Sequence, residues 1–215
     1  MSVVASYARM SGNEVETLKV DADQFWRIQE MPRNLGEPVD AAASERLDVD
    51  KDWQVLSWLC SPVGRAEERR EAALIRVAQR RGEDFSAEAL KAALRQEVEA
   101  MGFAYVDPRD LPDDLVLTAI QGRRKADERR SIANLGLAAA MFGPDEVRTL
   151  SAALDRIDEA ELREVFNANE METLDLPGDW KETELDEFYL PQLRRLKTLY
   201  GRAARAGQYV LVVMS

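Results

Sequence analysis

The chain has 215 residues, with 40 acidic against 29 basic side chains and a formal net charge of −11, so a phosphate backbone repels it and nucleic-acid binding is disfavoured. It has no histidine and a single cysteine, Cys60, which excludes a Ser-His-Asp or Cys-His site, a Cys/His zinc site and an internal disulfide. No run approaches the ~18 apolar residues of a membrane span, and MSVVASYARM lacks the basic and long apolar regions of a signal peptide; the expectation is a cytoplasmic protein with no membrane contact and no cofactor.

In chain order, Val3 to Arg9 reads as a short strand, broken by Ser11, Gly12 and Asn13. Leu18 to Val20 reads as a second extended piece. Asp21 then caps a helix carrying Phe25, Trp26 and Ile28, and residues 31–43, with Pro32, Gly36 and Pro38, form a loop. Asp50 or Asp52 caps the next helix, whose Trp53, Leu56 and Cys60 recur at helical spacing and which Ser61-Pro62-Val63-Gly64 stops. Two charged amphipathic helices follow, Arg65 to Arg81 and, capped by Ser86, a second carrying Leu90, Leu94, Val98 and Met101 on one face. They suit a helical hairpin, and their faces could pair two copies as a homodimer. Phe103 to Val106 reads as extended, and Asp107 to Asp114 as a Pro-punctuated loop.

Arg123 to Arg130 is a polar connector, and one or two short strands are expected within Ile132 to Phe142. Gly143-Pro144-Asp145-Glu146 is a strong helix start, with Pro in the first turn and acids at the positive end of the dipole. Asp158 and Glu161 have capping-box spacing for a short helix through Phe166. Leu176 to Thr183 is a loop. Tyr189, Leu193, Leu196, Tyr200 and Ala203 mark a long last helix ended by Gly207, with Pro191 at its first turn or at a kink. Tyr209 to Met214 is apolar throughout, as a central strand is.

Four blocks identify a resemblance: VVASYARMS; LDVDKDWQVLSWL; PDDLVLTAIQGRR with the later NLGLAAAMFGPDEVRTLSAALDRIDEAELREVF; and WKETELDEFYLPQLRRLKTLYGRAARAGQYVLVVMS. In these blocks the chain resembles the YfbM-like proteins, a bacterial family of unknown function. The resemblance implies a single α+β domain across 1–215, with helices packed on a small mixed sheet that includes the N- and C-terminal strands. Residues 64–103 then read as an added helical hairpin inserted into the compact family pattern. It implies no catalytic residues. Relatives often carry histidines on the helix after the tryptophan; Gln54, Ser57 and Trp58 occupy that stretch here.

Asp48, Asp50 and Asp52 suggest a calcium loop, but an EF-hand needs Gly at its sixth position and Glu at its twelfth, where this chain has Trp53 and Leu59. No metal site is assigned. Asp107, Asp110, Asp113 and Asp114 form a second carboxylate cluster. Were the two clusters to meet, a desolvated acid facing a solvated one could hydrolyse a small substrate. Cys60, beside Leu59 and Leu56, reads as an inert buried thiol.

The charge is unevenly placed. Residues 145–190 hold fifteen acids against four bases, and residues 191–215 hold five bases and no acid. Aromatic residues sit inside the acidic stretch, and aromatic anchors among charges are the composition of recognition patches. The candidate partner-binding residues are Asp179, Trp180, Glu182, Glu184, Asp186 and Glu187. The preferred expectation is a non-catalytic binding protein for a basic protein, in its sharpest form an immunity protein against a basic toxin or effector.

Overall fold

A computed structural model describes residues 4–20, 31, 44–50, 52–81, 86–122, 138–178, 180–181 and 183–214. A four-stranded sheet stands at the centre, in the order β2 (Glu45–Val49), β1 (Ala5–Met10), β4 (Tyr209–Met214), β3 (Ala138–Phe142). Every neighbouring pair is antiparallel, so the sheet is not the expected mixed one. The α+β class stands.

Register explains why β4 is apolar without interruption. Tyr7 lies opposite both Leu47 and Val212, and Val212 lies opposite Ala140, so these side chains share one face. They belong to the main core with Ala5, Val49, Phe142 and Val210. The alternate residues Ala8, Met10, Ala139, Leu211 and Val213 face the other way, into a second cluster with Val15. Both faces of β4 are covered, and such a strand gains from burying every side chain.

Nine α-helices are found among the described residues. α1 (Gly12–Val20) replaces the expected break and extended piece. Its start is a capping box: Ser11 N donates to Glu14 Oε2 at 2.7 Å and Glu14 N donates to Ser11 Oγ at 3.4 Å. Two orphan amides are thereby satisfied, enough to start a helix despite Gly12 and Asn13. The expected helix after Asp21, the connector at 123–130 and residues 132–137 lie outside the described residues, as do all of the loop residues 31–43 except Met31.

α2 (Asp52–Cys60) is the Trp-bearing helix, and Val55 to Leu59 are all buried. Ser61 to Gly64 do end it, but they also begin α3 (Pro62–Arg81). Ser61 Oγ accepts from Gly64 N at 2.8 Å, and Pro62 occupies the first turn, where its missing N–H costs nothing. Gly64 is required by packing, because a Cβ there would overlap the backbone carbonyl of Ser57.

α4 (Ala87–Ala100) starts at the expected cap, Ser86, and folds back on α3 through Ala73, Val77, Leu94 and Val98. Phe103 to Val106 joins no ladder; Asp107 to Asp114 contains a single 3-10 turn, Pro108–Asp110. α5 (Leu115–Gln121) is capped by Asp114, whose Oδ1 accepts from the amides of Val116 and Leu117.

α6 (Pro144–Asp155) and α7 (Glu159–Val165) begin where the sequence signals place them, and α8 (Ala168–Thr173) is an addition. α9 (Leu190–Ala206) lies against the sheet and α6, burying Leu193, Leu196, Leu199, Tyr200 and Ala203.

Beneath the sheet, two tyrosines close the end of α5. Tyr7 Oη donates to Ile120 O at 2.5 Å, and Tyr200 Oη donates to Ala119 O at 2.9 Å. A helix leaves its last carbonyls without partners, and these hydroxyls satisfy two of them inside the core. Burial holds both phenols well above their ordinary range.

Candidate functional site

The acidic stretch runs from α7 through α8 into a shaped loop before α9. α8 ends with Asp175 in the left-handed region at φ 55°, and Leu176 N donates back to Met171 O at 3.1 Å. That is the helix end that usually carries glycine. Gly178 follows at φ 148°, and a Cβ there would press on the Tyr189 hydroxyl and the Trp180 ring. Trp180 itself stands at φ 53°, a conformation in which a bulky residue is strained. Two contacts hold it there: Trp180 N donates to Glu184 Oε2 at 3.2 Å, and its ring stacks on Tyr189 at 6.3 Å between centroids.

The chain then makes one π-helical turn, Leu185–Tyr189, before continuing into α9. Pro191 supplies the reason. It has no N–H for the carbonyl of Glu187, four residues earlier, and its ring presses on that carbonyl, so the turn widens. Leu185 and Tyr189 point into the core, whereas Asp186, Glu187 and Phe188 form the exposed arc. Phe188 is 55% exposed, the most exposed large apolar side chain among the described residues.

The six candidate residues therefore divide. Trp180 is half-buried and Glu184 buried, and both shape the loop from within. Asp186 and Glu187 face solvent. Asp179 and Glu182 lie outside the described residues. Phe188, an aromatic of the acidic stretch outside that set of six, joins Asp186 and Glu187 on the exposed arc.

Charge is partly matched within the molecule. Asp186 Oδ1 accepts from Arg163 Nη2 at 2.7 Å, and Glu159 Oε1 accepts from Arg194 Nε at 2.7 Å. α9 thus offsets part of the acidic segment.

The two carboxylate clusters do not meet. Asp48 Oδ1 accepts from Ser6 Oγ, and its Oδ2 pairs with Arg46 at 2.9 Å. Asp52 opens α2, where burial, then Asp50 and Glu184, push its carboxyl up. Asp114 lies at the far end of α2, accepting from Ser61 Oγ at 2.7 Å. Nine residues of helix, roughly 13 Å, separate Asp52 from Ser61. Asp107 is buried against Arg109 and Lys91, and the Arg109 guanidinium holds its carboxyl well below the usual range. Asp48 and Asp107 are committed to ion pairs and Asp114 to a cap, and the length of α2 separates Asp52 from Asp114.

Among the described residues, no three Cys, Asp or Glu side chains converge as metal ligands. Burial pushes the Cys60 thiol up to about 12, so it stays protonated and unreactive. No described helix is long and apolar enough to cross a membrane.

Residues 118–213, from within α5 to β4, match the family model described as a domain of unknown function, DUF1877. The segment is less than half of the chain, and it contains the acidic loop, the π turn and α9. No curated protein matches. Among solved structures, the protein of unknown function YfbM from Escherichia coli is similar over 99% of both chains, with a TM-score of 0.55 and 15% sequence identity. At that identity the likeness is one of fold. The chain is thus similar in fold to YfbM, and its residues 118–213 match the DUF1877 model.

Proposed function

We propose that the protein is a non-catalytic binding module whose acidic face engages a basic protein. The observation that carries this reading is Phe188, more than half exposed on the π turn beside Asp186 and Glu187. An aromatic anchor ringed by charge excludes water from a contact, while the carboxylates select a cationic partner and speed its approach. Gly178, Trp180, Glu184 and Tyr189 pre-organise the turn, which lowers the cost of ordering it on binding.

In its sharpest form the module neutralises a basic toxin or effector in the bacterial cytoplasm, as immunity proteins do. The hydrolase alternative is the less favoured reading, because Asp52 and Asp114 sit at opposite ends of α2.

The test is capture of partners from the native host by the full chain at low salt. A stoichiometric basic protein should be retained and should elute as salt rises past the point where the Debye length falls below about 10 Å. The variant Asp186→Lys/Glu187→Lys/Phe188→Ala should not retain it. Retention of no stoichiometric protein, or equal retention by the variant, would sink the reading. A toxin gene next to this one would favour the immunity form.

A further inference from the structure

We infer that the α3–α4 hairpin is a brace for the loop that follows α8, so that the order of this loop is set from outside the acidic segment. Its bearing on a partner rests on the protein-binding reading above. Arg69 and Arg76 lie two turns apart on one face of α3, and Glu170 and Thr173 lie three residues apart on one face of α8. The two arginines bridge these faces. The Arg69 guanidinium pairs with Glu170, and it lies 5.1 Å from the ring centroid of Trp58 on α2 and 4.7 Å from that of Phe103 beyond α4. Arg76 Nη1 lies 3.9 Å from Oε1 of the buried Glu97 on α4, and its Nη2 donates to Thr173 O at 2.8 Å.

That last bond stands where α8 needs it. A helix leaves its last four carbonyls without partners in its own ladder. Glu170 O accepts from Leu174 N, Met171 O from Leu176 N and Glu172 O from Asp175 N, all at 3.0–3.2 Å. Thr173 O is met from another helix, by Arg76. Asp175 comes two residues later at φ 55°, a conformation that a residue other than glycine keeps only where its surroundings fix it. Trp180, also left-handed, stands five residues further on. Whatever draws the hairpin from α8 therefore loosens the entry to the loop that carries Trp180.

The experiment is amide hydrogen exchange on the full chain, read residue by residue. Arg76→Met keeps the aliphatic stem and removes the guanidinium. It should speed exchange at Leu174, Asp175, Leu176 and Trp180 about fivefold or more, with the β1–β4 ladder unchanged. Glu170→Gln, which keeps the shape of the side chain and removes its charge, should speed the same amides to a smaller extent, and it carries the test if Arg76→Met does not fold. No acceleration in either variant, or equal acceleration in the ladder, overturns the brace. The measurement involves no partner. Local acceleration with no protein captured from the host keeps the brace and sinks the binding reading, and unchanged exchange with a protein captured does the reverse.

Discussion

Tyr200 and Tyr7 illustrate how single residues carry this fold. Each hydroxyl reaches a terminal carbonyl of α5 from a different element, Tyr200 from α9 and Tyr7 from β1. Tyr200→Phe keeps the ring and strands the Ala119 carbonyl in the core, and should cost about 1–3 kcal/mol, read as a lower urea midpoint with unchanged m. The pH behaviour of Asp107 follows from its partners. Its carboxyl is held low in the fold by Arg109 and Lys91, so it contributes stability above its unfolded value of about 3.8. That contribution drains away as pH falls below 3.8 towards the folded value. Asp107→Asn should therefore be less stable than wild type at pH 7, with the gap closing as the buffer is taken below pH 4. Urea melts at several pH values measure it; a gap that widens in acid contradicts the assignment.

At the scale of elements, signals carried by caps were legible, and signals carried by tertiary pairing were not. Ser86, Asp158 and Gly143-Pro144 mark true helix starts because a cap acts within one turn. The same physics was present at Ser11 and Glu14, where glycine and asparagine concealed it. β2 was missed because its pattern is short and charged; Glu45 is buried only because Arg9 and Arg202, from β1 and α9, meet its carboxylate. Phe188 was legible as an aromatic of the acidic stretch; its exposure was not, since a π turn shifts which positions face out. The α2–α3 junction yields a further prediction. Gly64→Ala places a methyl against the Ser57 carbonyl, backbone that cannot swing aside as a side chain can. It should cost about 1–3 kcal/mol, whereas Val63→Ala, one residue earlier and half-buried, should cost less. Thermal melts of the two variants compare them.

Over the whole molecule, the split between an acidic segment and a basic helix, obvious in the sequence, turns out to be partly an internal match. Arg163 with Asp186 and Arg194 with Glu159 bind the acidic helices to the turn and to α9. These pairs offset only part of the acidic segment, and Glu187 and Phe188 stay exposed beside them. The sheet has an equally global origin. β1 and β4 pair from Ala5 opposite Met214 to Met10 opposite Tyr209, so its two central strands come from opposite ends of the sequence. A version shortened after Gly207 keeps every described helix but leaves β1 with β2 alone and removes the strand to which β3 pairs. It should lose cooperative unfolding and bind a hydrophobic dye, as a collapsed state without fixed packing does.

That pairing also sets when the protein is born. During synthesis, β1 leaves the ribosome well before β4, and about two hundred further residues must follow before its β4 neighbour exists. Helices and the α3–α4 hairpin can form on the way, because their contacts are local. The sheet cannot close until residue 214 has cleared the exit tunnel. For that interval the side of β1 that β4 will cover is an open strand edge, of the kind that pairs with another molecule unless it is covered.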